Sequence, residues 1–217
     1  MLFTINGVAK EFLINHLVVA GWTARDQHAV QEHIDELAEL GVAPPSTVPL
    51  YYRASNLLLT QQPMVEVVGG DSSGEVEPLI IKAEDSFWLG LGSDHTDREL
   101  EAHSVAFSKQ VCPKPVATQL WPLAEVEGHL DQIEMQSWVD EGEGWTLYQS
   151  GKLAAIRPLN ELIEKAKLDN GSAMLCGTFA AIGGVRNTPK FRMALHDPVL
   201  NRSIQADYQT RELPAVK

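Results

Sequence analysis

The chain has 217 residues, 44% of them hydrophobic, and carries 29 acidic against 17 basic side chains for a formal charge of −12. That length suits one large or two small domains with an apolar core. The acidity repels phosphate backbones and anionic membrane surfaces, so neither nucleic-acid nor membrane binding is expected. No basic segment followed by an apolar stretch opens the sequence, and no uninterrupted apolar run approaches the ~18 residues of a membrane span. Two cysteines, Cys112 and Cys176, fit a reducing cytoplasm better than a disulfide framework.

In chain order, "LFTINGVAKEFLI" places Asn6-Gly7 between apolar flanks, a strong hairpin signal. The stretch "GWTARDQHAVQEHIDELAELGV" reads as a helix. Thr23 and Asp26 form a capping-box variant, Val30, Ile34, Leu37 and Leu40 share a face, and Gly41 closes it. After the prolines of "APPSTVP", "LYYRASNLLLT" reads as strand, and "MVEVVGGDSSGEVEPLII" as two strands around a polar connection. "FWLGLG" is a buried strand whose glycines admit close backbone approach. Next, "SDHTDRELEA" starts a short helix, with Thr96 and Glu99 at capping-box spacing and Leu100 and Phe107 toward the core.

Further on, "QIEMQSWVDEGEGWTLYQSGK" alternates like a hairpin, and "PLNELIEKAKLDNGS" is a helix ending at Asn170-Gly171. "AMLCGTFAAIGG" is a buried strand running into glycines, and "KFRMALHDPVLNRSIQADYQ" is a hairpin turning at Asp197-Pro198. Strands outnumber helices without regular alternation, which argues α+β.

Three groups could carry chemistry. Glu75 and Glu77, two apart, point to one face of extended backbone, where a cation or water must screen them. With Asp94 they make three hard ligands and no soft one, a set suited to Mg²⁺ or Mn²⁺; an exposed loop edge accounts for the glutamates equally well. His95, Glu99 and His103 fall at i, i+4 and i+8 and could hold a transition metal on one helix face, although a charged helix start explains the same spacing. His33 with Glu36 one turn on could be an oriented general base, or a half-buried His beside a surface Glu.

The order of these pieces resembles the fumarylacetoacetate hydrolase superfamily. That family's order appears as Gly21; His33-x-x-Glu36; "PPSTVPLYYRAS" with Arg53; "GEVEPLII"; "DHTDRE"; Lys109; "YQSGKL"; and "LCGTFAAIGG". The motifs span about residues 20–185 of what is expected to be one domain over residues 1–217.

The resemblance implies a mixed β-roll with a few flanking helices, and Glu75, Glu77 and Asp94 as ligands of Mg²⁺ or Mn²⁺. It further implies Lys109 as the cation near developing charge, and His33 with Glu36 as the water-activating pair. Gly177 and Thr178 would supply donors for a substrate carboxylate, Arg98 would brace Asp94 or the acidic helix start, and Arg53 and Arg98 complete the expected substrate-binding set. The expected activity is C–C bond hydrolysis of a 2-oxo acid or 1,3-dicarbonyl compound by a cytoplasmic homodimer. Decarboxylation, hydration or tautomerisation on the same platform, or a binding protein that kept only the fold, are the alternatives. Departures from the pattern leave His28/Glu32 as a rival dyad, put Arg53 where the family has Lys, and shorten the segment before Asp94.

Overall fold

A computed structural model describes residues 1–39 and 44–216. The first strands, β1 (Leu2–Ile5) and β2 (Val8–Glu11), form the expected hairpin, with Asn6 and Gly7 both at positive φ (48° and 81°). They are followed by β3 (His16–Gly21), α1 (Gln27–Glu39), β4 (Leu50–Ala54) and β5 (Met64–Val68). Next come β6 (Val76–Ala83), β7 (Ser86–Ser93), α2 (Arg98–Glu101), α3 (Val105–Val111), β8 (Gln119–Pro122) and α4 (Leu123–Val126). The chain ends with β9 (Glu134–Asp140), β10 (Trp145–Lys152), α5 (Leu159–Ala166), β11 (Ser172–Leu175), β12 (Lys190–Asp197) and β13 (Arg202–Leu213).

Eight strands form a mixed sheet in the order β2-β1-β8-β7-β6-β11-β3-β4, and five form a second in the order β10-β9-β12-β13-β5. Apolar side chains between the sheets make the main core, where Val18, Ile80, Leu91 and Met174 meet Met135, Val139, Phe191 and Ile204. A second cluster, with Phe3, Phe12, Leu17, Leu79, Ile81 and Leu120, lies on the other face of the large sheet. Strands β3 and β6 are therefore buried on both faces, which is why "LVVA" and "PLII" are continuous apolar runs. The glycines of β7 admit the close approach expected of them: a Cβ at Gly90 would sit 2.5 Å from Leu120 Cδ2. The architecture is the α+β arrangement anticipated.

Several local expectations need correction. The cap of α1 is Asp26, whose Oδ1 accepts from the His28 N–H at 2.9 Å, while Thr23 is buried upstream of it. Val30 is buried as expected; Leu40 and Gly41 lie outside the described residues, as does the side chain of Leu37. Asp97, not Thr96, caps α2: its side chain accepts from the Leu100 N–H at 2.8 Å, and Thr96 belongs to a short buried pairing with Ser73. Carboxylates are strong N-caps, so helix begins one residue later than the Thr96 reading. It also ends at Glu101, and a fresh cap at Ser104 starts α3 in a new direction, leaving Phe107 65% exposed rather than in the core. Helix α5 stops at Ala166 because Lys167 turns into the left-handed region (φ 50°), short of Asn170-Gly171.

Candidate metal centre

Register builds the acidic site. Strands β6 and β7 are antiparallel neighbours with Val76 opposite Ser93 and Glu77 opposite Gly92. One step outward, the Asp94 N–H donates to the Glu75 carbonyl at 2.9 Å, which sets the two acidic residues across from each other. Val76 points into the apolar core, so its neighbours Glu75 and Glu77 share the opposite face. One carboxylate oxygen from each of Glu75, Glu77 and Asp94 lies within 4.8 Å of the others, and among the described residues this is the one such group of three His, Cys, Asp or Glu side chains. Glu77 is 3% exposed and Asp94 0%.

Three cations surround the carboxylates. Lys109 Nζ donates to Asp94 Oδ2 and lies 3.9 Å from Glu75. Lys114, fully buried, reaches Asp94 Oδ1 at 3.0 Å and donates to the His95 carbonyl. Arg98 pairs with Glu75 at 3.1 Å and Glu101 at 2.8 Å and donates to Ser73 Oγ at 2.7 Å.

The electrostatics separate the two buried acids. Burial opposes ionisation of Asp94, but Lys109 and Lys114 hold its carboxyl down at about 2. Burial, then the charges of Asp94 and Glu75, push Glu77 well above the usual carboxylate range, against Lys109 and the Gly177 N–H. Burial disfavours the Lys109 ammonium, yet Asp94 and Glu75 raise it above its ordinary value. Three crowded hard donors, one of them a Glu77 carboxyl held up by burial and by its two acidic neighbours, fit a divalent ion.

The other expected site residues divide. Gly177, at φ 105°, donates its N–H to Glu77 Oε2 at 2.8 Å, so this donor is spent on the Glu77 carboxyl rather than open to a substrate carboxylate. Thr178 Oγ1 donates to the Val76 carbonyl and accepts from Gln149 Nε2, both at 2.7 Å. Arg98 braces the acidic helix start through Glu101, as one of the two expectations for it had it, and pairs with Glu75 rather than with Asp94. Arg53 is exposed on β4, on the opposite side from Tyr52, whose ring lies 5.9 Å from Lys109 Nζ. His33 and Glu36 lie on α1, but their side chains fall outside the described residues.

The transition-metal reading of His95, Glu99 and His103 is overturned. His95 is buried ahead of the helix, its Nδ1 hydrogen-bonded to Tyr208 Oη at 2.8 Å and its Nε2 to Ser72 Oγ at 2.9 Å. Glu99 and His103 are exposed. Burial, Lys114 and Arg98 depress the imidazole to about 3, so it is neutral. Sequence reasoning missed Lys114 and the Tyr208–His95–Ser93 network. Tyr208 Oη lies 2.9 Å from Ser93 Oγ, which accepts from the Glu75 N–H at 3.1 Å. Only an expectation that Asp94 needs a second counter-ion could have singled out "CPKP".

His28 and Glu32, the rival dyad, are both exposed. His28→Ala and Glu32→Ala are therefore expected to leave Mg²⁺ affinity and the unfolding midpoint unchanged, measured by calorimetric titration and thermal melts. A tenfold affinity loss in either variant would return that pair to the site.

A family model described as "Protein of unknown function (DUF2848)" matches residues 20–208. No curated protein sequence matches the chain. Among solved structures it is similar to a candidate fumarylacetoacetate isomerase/hydrolase from Oleispira antarctica, at 17% identity over 96% of this chain and 99% of that one, with a TM-score of 0.68. It is similar also to Cg1458, at 14% identity over 94% and 77% of the two chains with a TM-score of 0.64. A third is 2-keto-3-deoxy-D-arabinonate dehydratase complexed with magnesium and 2,5-dioxopentanoate, at 13% identity, 93% and 74% coverage and a TM-score of 0.62. At these identities the likeness is one of fold, and function must come from the site. On a fold shared with these solved structures, and with most of its length matched by that one family model, the chain belongs to the family described as Protein of unknown function (DUF2848).

Proposed function

We propose that this protein is a Mg²⁺- or Mn²⁺-dependent enzyme acting on a small 2-oxo acid or 1,3-dicarbonyl substrate, with C–C bond hydrolysis as its reaction. The observation that carries this reading is the convergence of Glu75, Glu77 and Asp94 beside the buried ammonium of Lys109. The structurally similar dehydratase, complexed with magnesium and a dioxo acid, supports the substrate class. A divalent cation held by the three carboxylates would supply Lewis-acid polarisation of the substrate carbonyl.

The chain's own groups supply the rest. Lys109 is kept charged by Asp94 and Glu75 and presents a fixed positive charge where negative charge develops on the carbonyl oxygen. Lys114 neutralises the inner side of Asp94, and the Gly177 N–H fixes the rotamer of Glu77. His33 and Glu36 are the proposed water-activating pair. Without a water-activating group, the same charge-stabilising set would serve dehydration, decarboxylation or tautomerisation. Free, buried Cys112 and Cys176 suit a reducing compartment, and a cytoplasmic homodimer is what the family likeness implies.

The test combines calorimetric titration of Mg²⁺ and Mn²⁺ with exchange of the C3 protons of pyruvate and oxaloacetate in deuterated buffer. Exchange is expected only with cation bound, and Lys109→Met should slow it on the order of 10²- to 10³-fold, the usual cost of removing one preorganised charge-stabilising group. Cation binding without exchange or turnover across a panel of 2-oxo acids and acylpyruvates would instead indicate a binding protein that kept the fold.

A further inference from the structure

One buried amide, outside the carboxylates themselves, ties together the backbone segments that carry them. Strand β6 pairs with β7 along its whole length, but β11 accompanies it on the other edge only from Lys82 to Leu79. The Cys176 N–H still donates to the Pro78 carbonyl at 3.1 Å, and the chain then turns at Gly177, whose φ of 105° suits glycine. The pairing with β11 thus stops short of Val76, the buried residue between Glu75 and Glu77, whose N–H and carbonyl still need partners.

Side chains take the place of the strand there. Gln149 Oε1 accepts from the Val76 N–H at 3.0 Å, and Thr178 Oγ1 donates to the Val76 carbonyl at 2.7 Å. The two side chains are themselves joined, because Gln149 Nε2 donates to Thr178 Oγ1 at 2.7 Å. The second N–H of Gln149 goes to the Phe179 carbonyl, also at 2.7 Å, and its oxygen accepts again from Ser137 Oγ at 2.9 Å. A backbone donor at Val76 and a backbone acceptor at Phe179 fix which end of the amide faces each. Two donors and two acceptor sites are the full capacity of a glutamine, and all four are used in a side chain 2% exposed.

The "YQSGK" stretch of β10 accounts for this geometry. Gln149 and Gly151, two apart on one strand, share a face. A Cβ at Gly151 would lie 2.9 Å from Phe179 Cε2, so the glycine makes room for the residue whose carbonyl Gln149 holds. Phe179 is therefore held by backbone and ring, two residues beyond the Gly177 N–H that donates to Glu77 Oε2. A single side chain reaches both the strand between the two glutamates and the turn that holds the Glu77 carboxyl.

We infer that Gln149 is a positioning residue of the metal centre. It sets the backbone between Glu75 and Glu77 against the Gly177 turn, and so fixes the spacing of the carboxylates that would hold a divalent cation. It acts through the Val76 N–H and the Phe179 carbonyl rather than on the carboxylates. Removing an outer partner of this kind commonly weakens a metal site about 10- to 100-fold. The inference rests on the metal-dependent reading proposed above.

The experiment titrates Mg²⁺ into the full chain by calorimetry, well below the melting temperature of each variant. Gln149→Met keeps an unbranched side chain of similar length and removes all four hydrogen bonds, so Mg²⁺ binding should weaken by at least about tenfold. Amide hydrogen exchange of the metal-free protein is the second readout, and the Val76 and Gly177 amides should exchange faster in this variant. Thr178→Val breaks the link between Gln149 and the Val76 carbonyl while leaving the glutamine in place. It should weaken binding in the same sense, and it decides the matter if Gln149→Met does not fold. Ser137→Ala removes only the bond to β9 and should leave Mg²⁺ affinity within about twofold of wild type, far from the loss expected at Gln149. Affinity within about twofold of wild type in Thr178→Val and in any folded Gln149→Met overturns the inference and leaves the metal-dependent reading standing. A loss in Ser137→Ala equal to that in Gln149→Met overturns it as well, since packing in general would then be the cause. Failure of both Mg²⁺ and Mn²⁺ to bind wild type overturns the inference and the metal-dependent reading together.

Discussion

Asparagine in place of Asp94 should make the metal-free protein about 3–5 kcal/mol less stable, the usual cost of leaving a buried charge without its partner. Asp94 is fully buried, and the ammonium groups of Lys109 and Lys114 approach its two oxygens. Asparagine has nearly the same shape, so the loss would report charge rather than packing. Lys109 would keep Glu75 at 3.9 Å, but Lys114, with no exposed surface, would lose its anionic partner among the described residues and keep the neutral His95 carbonyl. Urea unfolding in the presence of a chelator measures the effect. The double variant Asp94→Asn/Lys114→Met should recover a substantial part of it, because the orphaned cation goes with its partner. A loss under about 1 kcal/mol in the single variant would mean that Asp94 is not the counter-ion of this cluster.

This arrangement explains which parts of the site the sequence could reveal. Glu75 and Glu77 were legible because a period of two is a property of one strand, and Asp94 because it closes a short connection back to the same strand edge. Lys114 was not, since its role depends on how the segment after α3 folds back against β7, and no local spacing encodes that return. His95 was misread for a related reason. The i, i+4, i+8 pattern presumes one continuous helix, yet Asp97 is the cap and Ser104 starts the next turn, so the three side chains never share a face. The family order suggested Gly177 and Thr178 as substrate donors. The structure engages both polar groups with the protein itself, Gly177 to Glu77 and Thr178 to Val76 and Gln149. At the level of the fold, the Asn6-Gly7 turn and the doubly apolar β3 and β6 were readable from local chemistry, whereas the parallel pairing of β3 with β11 joins residues more than a hundred positions apart.

Glutamine at position 77 should act on the metal-free protein in the opposite sense from asparagine at 94. Burial and the charges of Asp94 and Glu75 raise the Glu77 carboxyl well above its ordinary value. A carboxyl raised in the folded state stabilises the protein fully below its unfolded pKa, and that contribution is lost as pH rises through the folded value. Metal-free wild type should therefore lose stability from mildly acidic to mildly alkaline pH, while Glu77→Gln, neutral throughout, should lack this decline and match or exceed wild type at the alkaline end. Added Mg²⁺ reverses the comparison. In wild type a divalent cation held by Glu75, Glu77 and Asp94 would take the place of the proton, so binding should release protons into the buffer and remove the alkaline loss. At a free concentration of about 100 times Kd this stabilises by about 2.7 kcal/mol. Glu77→Gln should gain almost none of it, because a ligand is gone and the Gly177 N–H now orients a neutral amide. Thermal melts across pH, with chelator and with Mg²⁺, read both halves of the prediction. A metal-free wild type that becomes more stable toward alkaline pH, together with a Glu77→Gln variant as destabilised as Asp94→Asn, would show that Glu77 is a paired structural carboxylate rather than an acid waiting for a cation.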